Sequence, residues 1–329
     1  MKKLLLIPLL LIAFVAGFFF KSYLNKPETK IAIIKPTPLN KYTIENLAKT
    51  KAPTSNIIIE NTLTQDKNFT SSIFSINFDP TLTGKETKKV SGVINIPTKP
   101  GTYPVVVMFR GFVDQKIYQP GTGTKRAAEY FAKNGLITIA PDFLGYAASD
   151  KEAENIFESR FQTYTTAMTV LSSVKNIPEW DNKNLFIWGH SNGGQIALTI
   201  LEITGSTYPT VLWAPVSKPF PFSILYFSDV PGDYGKYLRK ELANFEVDYD
   251  GDLFSIHKYF DRINAPLQIE QGTADESVPI AWTNELVNTL KSLQIKVIYD
   301  THPGTDHNLQ PAWNKAITNS LAFFKSKEN

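Results

Sequence analysis

The sequence predicts an α/β fold: a doubly wound, mostly parallel sheet with antiparallel strands at its N-terminal side and a small inserted lid. Three observations predict it. From Pro104 onward, short apolar runs at 105–109 and 136–140 alternate with longer helical stretches, as in strands joined by crossover helices. Before that point, segments 56–59, 70–78 and 89–96 are rich in β-branched and aromatic residues, as antiparallel strands are. The third observation is Leu185-Phe186-Ile187-Trp188-Gly189-His190-Ser191-Asn192-Gly193-Gly194. It opens as a buried strand, turns at Gly-x-Ser-x-Gly-Gly, and continues as a helix with Ile196, Leu198, Ile200, Leu201 and Ile203 apolar.

The 329 residues are enough for one large domain with a small appendage. The formal charge is +3, and its basic residues are scattered, so no nucleic-acid partner is expected. There is no cysteine. That excludes disulfides, thiolate catalysis, Cys-ligated zinc and lipid attachment through an N-terminal cysteine.

Residues 1–20 read as a targeting segment. Lys2 and Lys3 precede an uncharged apolar run over 4–20, near the lower limit for spanning a bilayer. Val15 and Gly17 form a weak cleavage site, but Phe18, Phe19 and Phe20 continue the run. The reading favours an uncleaved membrane anchor with the two lysines cytoplasmic and the rest outside. Secretion after cleavage is the alternative. Residues 21–54 read as a linker punctuated by Pro27, Pro36, Pro38 and Pro53, with a short strand at 31–34 and a short helix at 42–49. The main domain is 55–329.

Within that domain, 81–85 is the turn between two antiparallel strands. Helices are expected at 125–133, 155–174, 282–293 and 311–324. Further strands are expected at 210–213, 267–270 and 297–299. Residues 217–261 break the alternation and are rich in aromatics, so they read as the inserted lid. Within them, Asp248-Tyr249-Asp250-Gly251-Asp252 looks like the start of a calcium loop. Leu253 stands where its glycine belongs and Tyr259 where its closing glutamate belongs, so a solvated acidic turn is expected. No metal site and no cofactor are expected.

A serine between strand and helix is placed to act as a nucleophile, and it then needs a base and an orienting acid. The four histidines are His190, His257, His302 and His307. His190 precedes the serine on a strand, so its side chain points to the other face. His257 lies in the insertion. His302 and His307 share the loop between the last strand and the last helix, where a base can reach the strand ends. His307 is the expected base, and His302, next to Pro303, a turn residue. Asp275 directly follows the 267–270 strand and is the expected acid, with Glu276 and Asp306 as substitutes. The oxyanion donors are expected to be the amides of Asn192, at the helix N-terminus, and Phe112, after the first parallel strand. Arg110 is expected to pair with Asp114 or Asp142; binding a substrate carboxylate is the alternative.

These residues resemble the α/β-hydrolase fold and, within it, the catalytic domain of the prolyl oligopeptidase family. The resemblance runs over roughly 91–324. It rests on Pro141-Asp142-Phe143-Leu144-Gly145-Tyr146, on Gly189-His190-Ser191-Asn192-Gly193-Gly194, on Gly272-Thr273-Ala274-Asp275 and on His302-Pro303-Gly304-Thr305-Asp306-His307. It implies a Ser191, Asp275, His307 triad and cleavage of a small peptide or ester through an acyl-enzyme. Two features depart from the family. The stretch before residue 91 is too short for the β-propeller those peptidases carry. Arg110-Gly111 replaces their His-Gly. Compact dienelactone-hydrolase-like proteins and carboxylesterases are similar in form. A silent hydrolase fold used as a binding module is the reading from another class, and the intact Ser, Asp, His order argues against it.

Overall fold

The computed structural model describes residues 35–228 and 232–328. The N-terminal apolar run and the strand expected at 31–34 lie outside the described residues. Among the described residues, no helix is long and apolar enough to cross a membrane.

The body of the protein begins at Pro38. A 3-10 turn, Pro38–Tyr42, leads into α1 (Ile44–Lys49), whose first turn is capped by the Thr43 hydroxyl accepting the Asn46 amide. Leu39, Tyr42, Ile44 and Leu47 are buried in the main core. The Tyr42 hydroxyl donates to Glu158 Oε1 at 2.9 Å. The linker expected over 21–54 is therefore corrected: the folded body starts before residue 55. Proline spacing suggested a tether, but the apolar side chains between the prolines have a core to enter.

The sheet follows in chain order as β1 (Ile58–Gln65), β2 (Phe69–Phe78), β3 (Lys88–Pro97), β4 (Tyr103–Phe109), β5 (Ile137–Pro141), β6 (Trp180–His190), β7 (Thr210–Trp213), β8 (Leu267–Gly272) and β9 (Val297–His302). Its spatial order is β1-β2-β3-β5-β4-β6-β7-β8-β9. The pairs from β1 to β5 across β2 and β3 are antiparallel, and every pair from β5 onward is parallel. Strand β1 is exposed along its whole length, as an edge strand can be. In β4, Val105 to Phe109 are all fully buried, because helices cover both faces of the parallel part.

On one face lie α1, α3 (Ile156–Ser173) and α4 (Asn192–Thr204). On the other lie α2 (Lys125–Lys133) and α8 (Trp313–Lys325), where Phe186 stacks on Phe324 at 4.9 Å between ring centroids. The remaining helices are α5 (Phe222–Leu225) and α6 (Lys236–Asp248) in the insertion and α7 (Ile280–Ser292) after β8.

The insertion does two things. Its aromatics Phe220, Phe245 and Phe254 are core residues that pack on α3, with Phe254 stacked on Phe161 at 4.6 Å. Its first part lines the site described below. The acidic turn is structural: Asp250 accepts the Asp252 amide at 3.0 Å, and Asp252 lies 3.1 Å from Lys258 Nζ.

Glu202 on α4 is fully buried, and neither carboxyl oxygen has a hydrogen-bond partner. Burial pushes its carboxyl well above the ordinary range. The folded state thus holds a proton that the unfolded chain releases near pH ~4.3. Above that pH the unfolded state binds fewer protons, so stability falls as pH rises. Glu202→Met is expected to gain about 1–3 kcal/mol, and more at pH 9 than at pH 6. Denaturant midpoints at the two pH values check this; a gain that does not grow with pH contradicts it.

Candidate active site

Strand β6 lies inside the sheet between β4 and β7, and α4 follows it with one intervening residue, Ser191. Ser191 has φ 56° and ψ −121°, a conformation that costs of order 1–3 kcal/mol for a residue with a side chain. Neighbouring main chain holds it there. Its amide donates to Trp213 O at 2.9 Å, and its carbonyl accepts from Gly194 and Val216 at 2.9 and 3.0 Å. The turn tolerates no side chain on its inner surface. A Cβ on Gly193 would stand 1.9 Å from Phe109 O, and one on Gly189 would stand 2.5 Å from Gly193 O.

The loop after β4 passes over this turn. A Cβ on Gly111 would lie 3.0 Å from Ser191 Cβ and 3.5 Å from its Oγ. The next residue is Phe112, which is 75% exposed. Asn192 opens α4, so its amide has no acceptor within the helix. Both expected oxyanion donors thus flank the serine.

At the end of β8, Asp275 receives four hydrogen bonds. Oδ1 accepts the amides of Ser277 and Val278 at 2.9 and 2.8 Å. Oδ2 accepts Gln271 Nε2 at 3.1 Å and His307 Nδ1 at 2.8 Å. Burial alone would raise this carboxyl; the bonds from His307 and the two amides outweigh it and hold it below its ordinary value. The structure therefore brings Asp275 and His307 together. It shows no hydrogen bond between Ser191 Oγ and His307 among the described residues; such bonds are often long without substrate and tighten on binding. The two substitutes stand apart. Asp306 is exposed and accepts the amides of Asn308 and Gln310, and Glu276 is exposed beside Asp275.

His190 does not face the serine, as its strand position implies. Its Nε2 lies 2.9 Å from His307 O, and the two imidazoles are 4.8 Å apart between centroids. Burial, with the neighbouring His307, pushes His190 down to about 4, so it is neutral near pH 7. Facing a carbonyl, Nε2 is the donor. His190 therefore anchors the backbone of the loop that carries His307. His302 is buried and bonds Glu270 Oε2 at 2.5 Å. Burial and the nearby Asp300 push Glu270 up to about 9, and burial pushes His302 down, so burial disfavours the charged form of both partners. His257 bonds Ser255 Oγ at 2.8 Å within the insertion.

Arg110 corrects the expected ion pair. Its Nη2 donates to the main-chain oxygen of Asp142 at 2.9 Å and its Nη1 to Gly111 O at 3.0 Å. Its guanidinium lies over the rings of Tyr146 and Tyr118 at 4.0 and 4.7 Å. The Asp142 carboxylate is taken by Ser91 and Tyr118. Arg110 is thus a brace for the loop above the serine.

A cavity of about 340 Å³ contains Ser191 and is walled by Phe112, Arg160, Asn192, Val216, Ile224 and Phe227. Ile224 and Phe227 come from the insertion, which accordingly covers the serine. A second cavity, about 250 Å³, shares Phe112, Arg160 and Asn192 with it and extends to Tyr146, Glu152 and Tyr164. A larger one, about 470 Å³, lies between Trp188, His190 and Trp313 and does not include Ser191. Sequence reasoning missed Arg160. The available signal was a cation three residues after buried Phe157 and one before buried Phe161, at the edge of a core-facing helix stripe.

A doubly wound sheet with a strained serine after an interior parallel strand, and a His–Asp pair beyond later strands, defines an α/β-hydrolase. Residues 123–328 match the model of the prolyl oligopeptidase family. The chain belongs to that family. It is 24% identical over 213 residues to acetyl esterase Axe7A of Xylanibacter ruminicola, a match covering 58% of this chain and 46% of that protein. The chain thus spans about half the length of the curated relative it matches. Acetyl xylan esterase 1 from Thermoanaerobacterium sp. has a TM-score of 0.63 at 13% identity, covering 88% of this chain and 94% of that one. A puromycin-hydrolyzing peptidase of Mycobacterium tuberculosis has a TM-score of 0.54 at 17% identity, covering 80% of this chain and 46% of that one. Likenesses at this identity show the fold.

Proposed function

We propose that the protein hydrolyses carboxylic esters through an acyl-enzyme on Ser191. The observation that carries this reading is the 2.8 Å bond between His307 Nδ1 and a buried Asp275, which leaves Nε2 of His307 as the free base nitrogen. Ser191 Oγ attacks the carbonyl carbon while His307 Nε2 takes its proton. The amides of Asn192 and Phe112 receive the oxyanion. His307 then returns the proton to the leaving alcohol, and water repeats the sequence to release the acid.

Two things favour esters over peptides. The cavity at Ser191 is small and largely apolar, and the curated match is to an acetyl esterase. The family model itself supports the second reading, a peptidase. A panel of p-nitrophenyl esters beside aminoacyl p-nitroanilides separates them. The expected result is labelling of Ser191 by a fluorophosphonate together with turnover of short-chain esters well above any anilide. Preferred turnover of the anilides makes the protein a peptidase, and absence of labelling removes the catalytic reading.

A further inference from the structure

Arg160 stands on the wall common to the two cavities at the serine. Its Nη2 donates to Gln195 Oε1, a neutral acceptor, and Gln195 is itself held through Nε2 by Lys218 O at 3.4 Å. The Arg160 Nε is buried and has no acceptor among the described residues. No carboxylate of those residues forms an ion pair with it. Glu152 lines the second cavity too, but it forms no ion pair with Arg160; it accepts from the neutral donors Ser159 Oγ at 2.6 Å and Gln115 Nε2 at 2.9 Å. A guanidinium is always charged, and leaving it half-buried without a counter-ion is unfavourable unless an anion arrives. Its planar fork suits a carboxylate. Arg110, the other cation at this end of the second cavity, is already committed to main-chain carbonyls and aromatic faces.

The geometry also says which part of a substrate would meet Arg160. A leaving group must lie beside the base that protonates it. His307 lines neither cavity, whereas the two oxyanion-side residues, Phe112 and Asn192, line both. What fills these cavities is the acyl part. We propose that Arg160 forms a subsite for a carboxylate on the acyl group, so that the preferred substrates are half-esters of dicarboxylic acids or other esters with an anionic acyl chain. Val216, Ile224 and Phe227 take its methylenes. This rests on the ester-hydrolase reading and narrows it.

The test compares p-nitrophenyl esters of glutaric and adipic half-acids with the same esters whose far carboxyl is methylated, after subtraction of spontaneous hydrolysis. Wild type is expected to favour the free carboxylate at least about tenfold in kcat/KM at low ionic strength, a ratio that falls with added salt. Arg160→Gln is expected to bring the ratio down to about one, and Arg160→Lys to restore part of it. A wild-type ratio near one, or an unchanged ratio in Arg160→Gln, overturns the subsite. Fluorophosphonate labelling of both proteins keeps the two readings apart. Labelled wild type with no carboxylate preference sinks the subsite alone, and unlabelled wild type sinks both.

Discussion

Asp275→Asn is expected to lower kcat by about 10³ to 10⁴ with little change in KM. The carboxylate accepts from His307 Nδ1 at 2.8 Å, which fixes the proton on Nδ1 and leaves Nε2 to act. It also stabilises the imidazolium that forms as Ser191 attacks. An asparagine amide can donate to Nδ1 and select the opposite tautomer, in which Nε2 carries the proton and is no base. Asn can keep the Ser277 and Val278 amides on its oxygen, but its NH₂ then faces the Gln271 amide. A stability loss of about 1–3 kcal/mol is expected beside the kinetic one. Thermal unfolding and kcat, measured together with Glu276→Gln, check the assignment. If Glu276→Gln is crippled and Asp275→Asn is near wild type, the acid is the neighbouring residue.

His307→Ala is expected to lose roughly three or more decades in kcat, as removal of a triad member does. His302→Gln is the control. Its amide can donate to Glu270 or accept from it, so the buried pair stays satisfied and kcat should stay within a few-fold of wild type. Single-turnover release of p-nitrophenol reads the acylation step directly. A crippled His302→Gln enzyme with an active His307→Ala enzyme moves the base and removes the role given to Asp275.

The two variants differ in how visible their sites were beforehand. Chain order and position at a strand end pointed to Asp275 and His307. Their hydrogen bond, across 32 residues of chain, depends on β8 and β9 pairing in parallel register, with Gly272 beside His302. His190 was read only as facing away from the serine. Its bond to His307 O spans 117 residues and arises because β6 and the last loop meet at one edge. Arg110 was expected to pair with a carboxylate, yet the buried Asp142 turned its own toward Ser91 and Tyr118 and offered a main-chain oxygen.

What the sequence by itself determined is local. Alternating apolar runs set the strands and helices, because backbone preference and side-chain periodicity act over a few residues. The Gly189 to Gly194 turn belongs to the same class, since only glycine permits the close approaches to Phe109 and Gly193 main chain. Tertiary structure alone decided the rest. It drew 38–49 out of an apparent linker and into the core, and made half of the insertion core and half a cover for Ser191. It also left Arg160 facing the cavities without a counter-ion among the described residues. The physical reason is that burial and charge compensation are set by whatever packs alongside, and those neighbours come from distant parts of the chain.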